Sequence, residues 1–306
     1  MAKILRAGVA GAGVFGGYHA QKYTEVNGAT LAAIYDQGDA RAGALAEKLG
    51  VTPFSSFEDF LAAIDIVTIA TPASTHGELA IKALEAGKHV LVEKPLALDL
   101  EVAAHLIKLA ADRQLTLQVG HQERYVANVF GLFDRPAPKQ VCSRRLNKFS
   151  GRAMDVSVVF DLMIHDLDML SQFTEGAQAE IIGINKKYVH GKKADFVDVD
   201  LVFPSGIKAN LKASRLEETP LRDLSLIYDD GEIGLNFLDR QAKNITPKPL
   251  PFDFDAAEKP PAFADPLRFG TQSFVNAVQG GHAPLITGEA GRAALQLALL
   301  IENTEA

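Results

Sequence analysis

The chain of 306 residues contains a single cysteine, Cys142, which excludes an internal disulfide and any multi-cysteine metal site and suits a reducing compartment. It has no basic block. With 31 Lys and Arg against 38 Asp and Glu, the formal net charge is −7. Nucleic acid and anionic membrane surfaces both demand clustered cations, so neither is an expected partner. No run approaches the ~18 apolar residues of a membrane span. The apolar stretch after Lys3 and Arg6 is broken by glycines at 8, 11, 13, 16 and 17 and flows into Tyr18, His19, Gln21 and Lys22, so it reads as a strand and tight turn, not a signal peptide. Internal repeats and low-complexity tracts are also lacking. What remains is an ordinary globular composition, 47% hydrophobic and 23% charged, with length enough for two domains, and a cytoplasmic location is expected.

From residue 4 to 121 short apolar runs alternate with amphipathic stretches. The runs Ile4–Ala10, Leu31–Tyr35, Ile66–Ala70, His89–Val92 and Thr116–Val119 lack polar alternation, as strands buried on both faces do. Between them, Gly77–Ala86 and Leu100–Ala111 place apolar residues at three- and four-residue spacings, and Gly87 reads as a helix stop. This alternation predicts a doubly wound parallel sheet, assigned to residues 1–121. Beyond it, residues 122–306 read as an α+β domain. Hairpins are expected around Pro204-Ser205-Gly206 and Asp229-Asp230-Gly231, with further strands near Val141–Phe149 and Glu180–Val189. Together they predict one large, open, mostly antiparallel sheet. Helices near Phe160–Phe173, Leu267–Gln279 and Glu289–Asn303 would cover one face, the last with the option of packing back on the first domain. Pro247–Pro266 carries six prolines and reads as a surface loop, with a lid or dimer contact as alternatives.

Gly11-Ala12-Gly13-Val14-Phe15-Gly16 follows the first strand and opens the first helix. Gly11 permits the turn, Gly13 lets backbone approach a pyrophosphate, and Gly16 allows close strand–helix packing. Phosphates then meet the N–H groups of the helix N-terminus. The second strand ends at Asp36, 20 residues beyond Gly16, the spacing at which a carboxylate takes ribose hydroxyls. The context of strand, turn, helix and acid predicts a dinucleotide site. Asp36 repels a 2′-phosphate and so favours NAD over NADP, with Arg41 the nearest cation able to reverse that preference.

Two further signatures carry chemistry. Glu93-Lys94-Pro95 follows the His89–Val92 run, where the strand ends of a doubly wound sheet line the ligand crevice. Thr71-Pro72 ends the preceding strand, with His76 four residues on. In Phe160-Asp161-Leu162-Met163-Ile164-His165-Asp166-Leu167-Asp168, Asp161 and His165 share a helical face. An imidazole able to take a proton, a carboxylate to orient it, and an ammonium to favour an alkoxide suit oxidation of a hydroxyl. On the residues alone, a helix-capping Asp161 and a buried, carbonyl-bonded His165 is the plainer reading. A metal site is not expected, because no second ligand group at metal spacing appears and hydride transfer needs none.

Across essentially the whole chain these motifs resemble the glucose–fructose oxidoreductase/inositol dehydrogenase (Gfo/Idh/MocA) family. The resemblance implies that Lys94 reaches the substrate hydroxyl and that Asp161 and His165 stand over the nicotinamide. It places Gly11, Gly13, Val14, Phe15, Gly16, Asp36, Thr71, Pro72, His76, Glu93 and Lys94 at the cofactor. Gly120-His121-Gln122-Glu123-Arg124-Tyr125, Arg145-Leu146, Phe149-Ser150 and Ala213-Ser214-Arg215 are similar to the branch of UDP-N-acetylglucosamine 3-dehydrogenases of lipid A precursor synthesis. The chain departs from that branch at Val126-Ala127-Asn128, where asparagine-proline-alanine is usual. A nucleotide-sugar needs cations for its diphosphate, and Arg124, Arg145, Arg152 and Arg215 are the candidates, each with a surface or salt-bridge role as the alternative. In the expected reaction His165 removes a ring-hydroxyl proton, Lys94 stabilises the alkoxide and Asp161 positions sugar or imidazole. Free sugars or polyols such as inositol are the alternative substrates, and a non-catalytic dinucleotide-binding regulator is the alternative outside enzymes. The open sheet suggests a homodimer or homotetramer, since such a face otherwise exposes apolar area. Leu201, Phe203, Leu224 and Leu226 fit that interface or the core equally.

Overall fold

A computed structural model describes residues 3–253 and 258–305. By contact the chain forms two units, Met1–Gln122 with Pro261–Arg292 and Glu123–Pro260 with Ala293–Ala306.

The first unit is built on a parallel sheet of order β3-β2-β1-β4-β5-β6. Its elements are β1 (Leu5–Ala10), α1 (Val14–Lys22), β2 (Ala29–Tyr35), α2 (Asp39–Leu49), β3 (Thr52–Phe54), α3 (Phe57–Ala63), β4 (Ile66–Ile69), α4 (His76–Glu85), β5 (His89–Glu93), α5 (Leu100–Asp112) and β6 (Leu117–Gly120). The apolar runs are the central strands: β4 is wholly buried, and β1 is buried at all positions except Arg6. The order reverses between β1 and β4, which makes the ends of those strands the ligand crevice of a doubly wound sheet. Residues 37–63 carry no such run. β3 is a three-residue edge strand that accommodates Pro53, and α3 is started by Ser56, whose Oγ accepts the Asp59 N–H at 3.2 Å.

The second unit begins with α6 (Gln122–Val129) and continues with β7 (Gln140–Leu146), α7 (Ile164–Phe173), β8 (Glu180–Lys187), β9 (Phe196–Val202), β10 (Lys208–Ser214), β11 (Leu221–Tyr228), β12 (Gly231–Asn236) and β13 (Gln241–Asn244). The seven strands form one sheet of order β13-β12-β11-β7-β10-β9-β8. It is antiparallel except for β7 and β10, which pair parallel from Gln140↔Lys208 to Leu146↔Ser214. Period-two burial sets one face as the core: Val141, Val199, Leu201, Ala209, Leu211, Leu224 and Leu226 are all buried. Leu201, Phe203, Leu224 and Leu226 therefore belong to this core. The outward positions are largely polar, with Asn210 donating to Asp198 and Asp200, and Lys212 paired to Asp198 at 2.7 Å. The apolar area from which an oligomer was expected is thus not what this face presents.

The chain closes with α8 (Pro261–Ala264), α9 (Pro266–Gly280) and α10 (Gly288–Asn303). The expected helix at Leu267–Gln279, read as part of the second domain, is α9. It groups with the first unit, because Phe274 and Val275 are wholly buried in a core shared with Leu5, Val9, Tyr23 and Ile34. Gln118 and Gln272 add bonds there to the Gly270 and Asn27 carbonyls. The boundary at residue 121 thus leaves out a later segment, 261–292, that returns to the nucleotide-type sheet. The proline-rich segment is tied down within its own unit. Phe252 packs edge-to-face on Phe130 at 5.5 Å, and Arg135 donates to the carbonyls of Lys248 and Pro249. Residues 254–257 of that segment lie outside the described residues. Among the described residues, no helix is long and apolar enough to cross a membrane.

Candidate active site

In the first unit the three motif glycines differ in what they accommodate. A Cβ at Gly16 would lie 1.7 Å from the Gly11 carbonyl oxygen, and one at Gly11, whose φ is +104°, would lie 2.5 Å from that of Ala70. Both are packing requirements. A Cβ at Gly13 would meet nothing within 4 Å, so the space above the turn is open where a pyrophosphate would lie. Val14 and Phe15, which begin α1, are exposed beside it. Asp36 is buried at the end of β2. Its Oδ2 accepts the Ala12 N–H at 2.8 Å, while Oδ1 accepts the Gly38 N–H at 2.7 Å and Arg41 Nη2 at 2.8 Å. Burial alone would raise its pKa, but these donors outweigh it and hold the carboxyl below the usual range. Asp36, Gln37, Arg41, Thr71, Pro72 and Thr75 line a cavity of about 310 Å³. An open glycine turn, an ionised acid and an adjoining cavity fit an adenine dinucleotide.

At the end of β5, Glu93 is buried and takes a hydrogen bond from His19 Nε2 of α1 at 2.8 Å. Burial pushes its pKa up, yet the His19 bond and the charge of Lys94 help to leave it below the ordinary carboxylate value. Lys94 is half-buried beside it. His76, expected at the cofactor, is engaged with backbone. Its ring is buried between two carbonyls, with Nδ1 2.7 Å from the Pro95 oxygen and Nε2 2.9 Å from the Thr71 oxygen. Only an imidazolium would satisfy both, but burial draws its pKa down against those two bonds, so a neutral ring donates to one of them. His76 thereby latches the segment after β4 to the one after β5.

In the second unit the helix bearing Asp161 and His165 is not regular. Val159–Met163 is a π-helical turn that feeds α7, a deformation over-represented at functional sites. Asp161 lies inside the turn, with its N–H on the Ser157 carbonyl, so it does not cap the helix. Both Asp161 and His165 are half-buried, whereas Asp166 and Asp168 are fully buried.

Three of the four arginines expected at a diphosphate are engaged inside the protein. Arg124 of α6 forks onto both oxygens of Asp168. Arg145 of β7 donates Nε to Asp166 Oδ2 at 2.7 Å, Nη2 to Oδ1 at 2.8 Å, and its remaining donors to Glu123. Arg215 is buried against Asp195 at 2.5 Å and the Ala153 carbonyl. For Arg124 and Arg145 bidentate carboxylates satisfy the guanidinium fork as a phosphate would, and all three arginines are buried. Arg152 alone is exposed. The Glu123-Arg124 and His165-Asp166-Leu167-Asp168 signatures are thus one ionic network, joined through Arg145, that pins the helix carrying His165. The buried position of His19 was missed; its signal was a polar residue at the i, i+3, i+4 stripe Gly16, His19, Ala20 on the packed face of α1.

Residues 5–121 match the GFO/IDH/MocA oxidoreductase family with an NAD-binding Rossmann fold, and residues 126–233 match the GFO/IDH/MocA C-terminal domain. The chain belongs to this family. It is therefore an NAD(P)-dependent oxidoreductase acting on CH–OH groups. It is 34% identical to the UDP-N-acetylglucosamine 3-dehydrogenase of Acidithiobacillus ferrooxidans over 97% of this chain and 96% of that protein. It is 28% identical to the NAD(+)-dependent scyllo-inositol 2-dehydrogenase of Bacillus subtilis over 92% of this chain and 89% of that one. The solved structure of the Acidithiobacillus enzyme superposes with a TM-score of 0.82, at 32% identity, over 97% of this chain and 96% of that chain.

Proposed function

We propose that this family member is an NAD-dependent dehydrogenase of a nucleotide-activated amino sugar, with UDP-N-acetylglucosamine oxidised at the 3-hydroxyl as the reading to test first. The observation that carries it is similarity over 97% of this chain and 96% of the other to a dehydrogenase of that substrate at 34% identity, above that to the scyllo-inositol enzyme at 28%. The Asp36 carboxylate, held ionised by three donors, supports NAD over NADP, since a 2′-phosphate would meet a fixed negative charge. When bound there, NAD supplies the hydride acceptor. The glycine turn and Asp36 would hold the dinucleotide, with Thr71 and Pro72 lining the same cavity as Asp36. His165 takes the proton of the ring hydroxyl, Lys94 offers its ammonium to the developing alkoxide, and Asp161 orients the sugar or the imidazole. Arg152 is the exposed one of the four expected arginines and is the candidate to meet a diphosphate.

The internal pairing of Arg124, Arg145 and Arg215 favours a second reading, a free sugar or polyol, because a diphosphate would need other cations. Nicotinamide reduction across UDP-sugars, free sugars and inositols, with NAD and NADP in parallel, separates the two. Turnover confined to non-nucleotide sugars refutes the first reading, and tight NAD binding with no turnover on any sugar refutes both. Lys94→Ala is expected to lose turnover with NAD affinity kept.

A further inference from the structure

We propose that His19 is a positioning residue for Lys94, acting through the Glu93 carboxylate. The inference rests on Lys94 being the cation that meets the substrate oxygen. His19 is wholly buried on α1, and its Nε2 lies 2.8 Å from Glu93 Oε1. The partner is an acceptor, which assigns the proton to Nε2. Glu93 Oε2 accepts the backbone N–H of Lys94 at 3.3 Å. On the adjacent strand β6, Gly120 is the register partner of Glu93, and a Cβ there would lie 2.6 Å from Oε1. The carboxylate is therefore seated by His19, by the absence of a side chain at Gly120 and by the Lys94 backbone. His76 fixes the next residue by bonding the Pro95 carbonyl.

The titratable groups facing Glu93 are His19, Lys94 and His76. His19 bonds the carboxylate from its side chain, and the ionised form is favoured despite burial. Without that donor, a buried carboxylate demands compensation, and the cation adjacent in sequence is the Lys94 ammonium. An ion pair between the two would draw the ammonium away from the substrate and raise its affinity for its proton.

The experiment compares His19→Leu, His19→Gln and Gly120→Ala with wild type. Three readouts are taken: steady-state kinetics, NAD affinity, and trace acetylation of Lys94 against pH read by mass spectrometry. His19→Leu is expected to lower kcat by about 10- to 100-fold, the scale of an ångström-level misplacement, with KM and NAD affinity nearly unchanged. Its Lys94 acetylation curve is expected to move to higher pH by roughly one unit. Gln keeps an N–H near the Nε2 position and restores most of both, whereas Gly120→Ala displaces the same carboxylate and reproduces the shift. Should the leucine variant not fold, His19→Asn, too short to reach Glu93, takes its place. A wild-type acetylation curve in His19→Leu, or Gln behaving no better than Leu, overturns the proposal. Full turnover by Lys94→Ala would instead remove the catalytic reading, and the acetylation curves would still decide the positioning.

Discussion

Replacing Arg145 by methionine separates a structural cation from a substrate-binding one. The Arg145 side chain is 3% exposed and spends its donors on Asp166, 1% exposed, and Glu123, 15% exposed. Burial already pushes the Asp166 pKa above its ordinary value, with Glu123 adding to it and Arg145 pulling it down. Removing the guanidinium strands the carboxylates, and breaking such a buried pair costs about 3–5 kcal/mol, a large share of the ~5–15 kcal/mol that holds a protein folded. With an m-value of about 3 kcal/mol/M, the urea midpoint at pH 7 would fall by roughly 1–1.7 M, followed by far-UV circular dichroism.

The pH dependence has a definite sign. A stranded carboxyl has a folded pKa above its unfolded value, so the folded state binds the extra proton. The deficit is then largest above the folded pKa and shrinks as the pH is lowered toward the unfolded one. A triple variant, Arg145→Met with Asp166→Asn and Glu123→Gln, removes the uncompensated charge and is expected to recover most of the loss. An Arg145→Met protein within about 1 kcal/mol of wild type, with KM raised for nucleotide-sugars alone, would refute this reasoning and return Arg145 to the substrate.

Gly13→Ala is expected to melt within a few degrees of wild type, because its Cβ meets open space, while NAD affinity measured by titration calorimetry falls at least ~10-fold as the methyl blocks the backbone approach. Gly16→Ala should instead fail to fold stably, since its Cβ would lie 1.7 Å from the Gly11 oxygen. Asp195 is buried, and although burial opposes ionisation, the backbone N–H groups of His190 and Val189 and the side chain of Arg215 lower its pKa to about 2. Its stabilisation, about 2–3 kcal/mol above pH 4, is therefore lost as pH falls from about 4 to 2, and the acid-induced drop in urea midpoint should be shallower in Asp195→Asn.

How much of this was legible in the sequence depended on whether a residue's partner is local or distant. The strands β1, β2, β4, β5 and β6 announce themselves because burial on both faces demands an unbroken apolar run. The Gly11–Asp36 pattern is legible because the turn, the helix start and the acid are set by one βαβ unit. The short β3 and the π-helical turn at Val159–Met163 carry no such periodic mark. The return of α9 to the first unit is equally invisible, since an amphipathic face does not name the surface that will bury it. The arginines show the same limit in charge. Arg124 and Asp168 are 44 residues apart, Arg145 and Asp166 are 21 apart, and no spacing rule distinguishes a guanidinium meant for a carboxylate from one meant for a phosphate, because the fork fits both. What does distinguish them is count. The segment Ile164–Phe173 carries two acids, Asp166 and Asp168, that its packed face buries, and each must find a cation within the fold. Two arginines were therefore already owed to that helix before any substrate was considered, and a ledger of buried acids against arginines would have withdrawn Arg124 and Arg145 from the diphosphate.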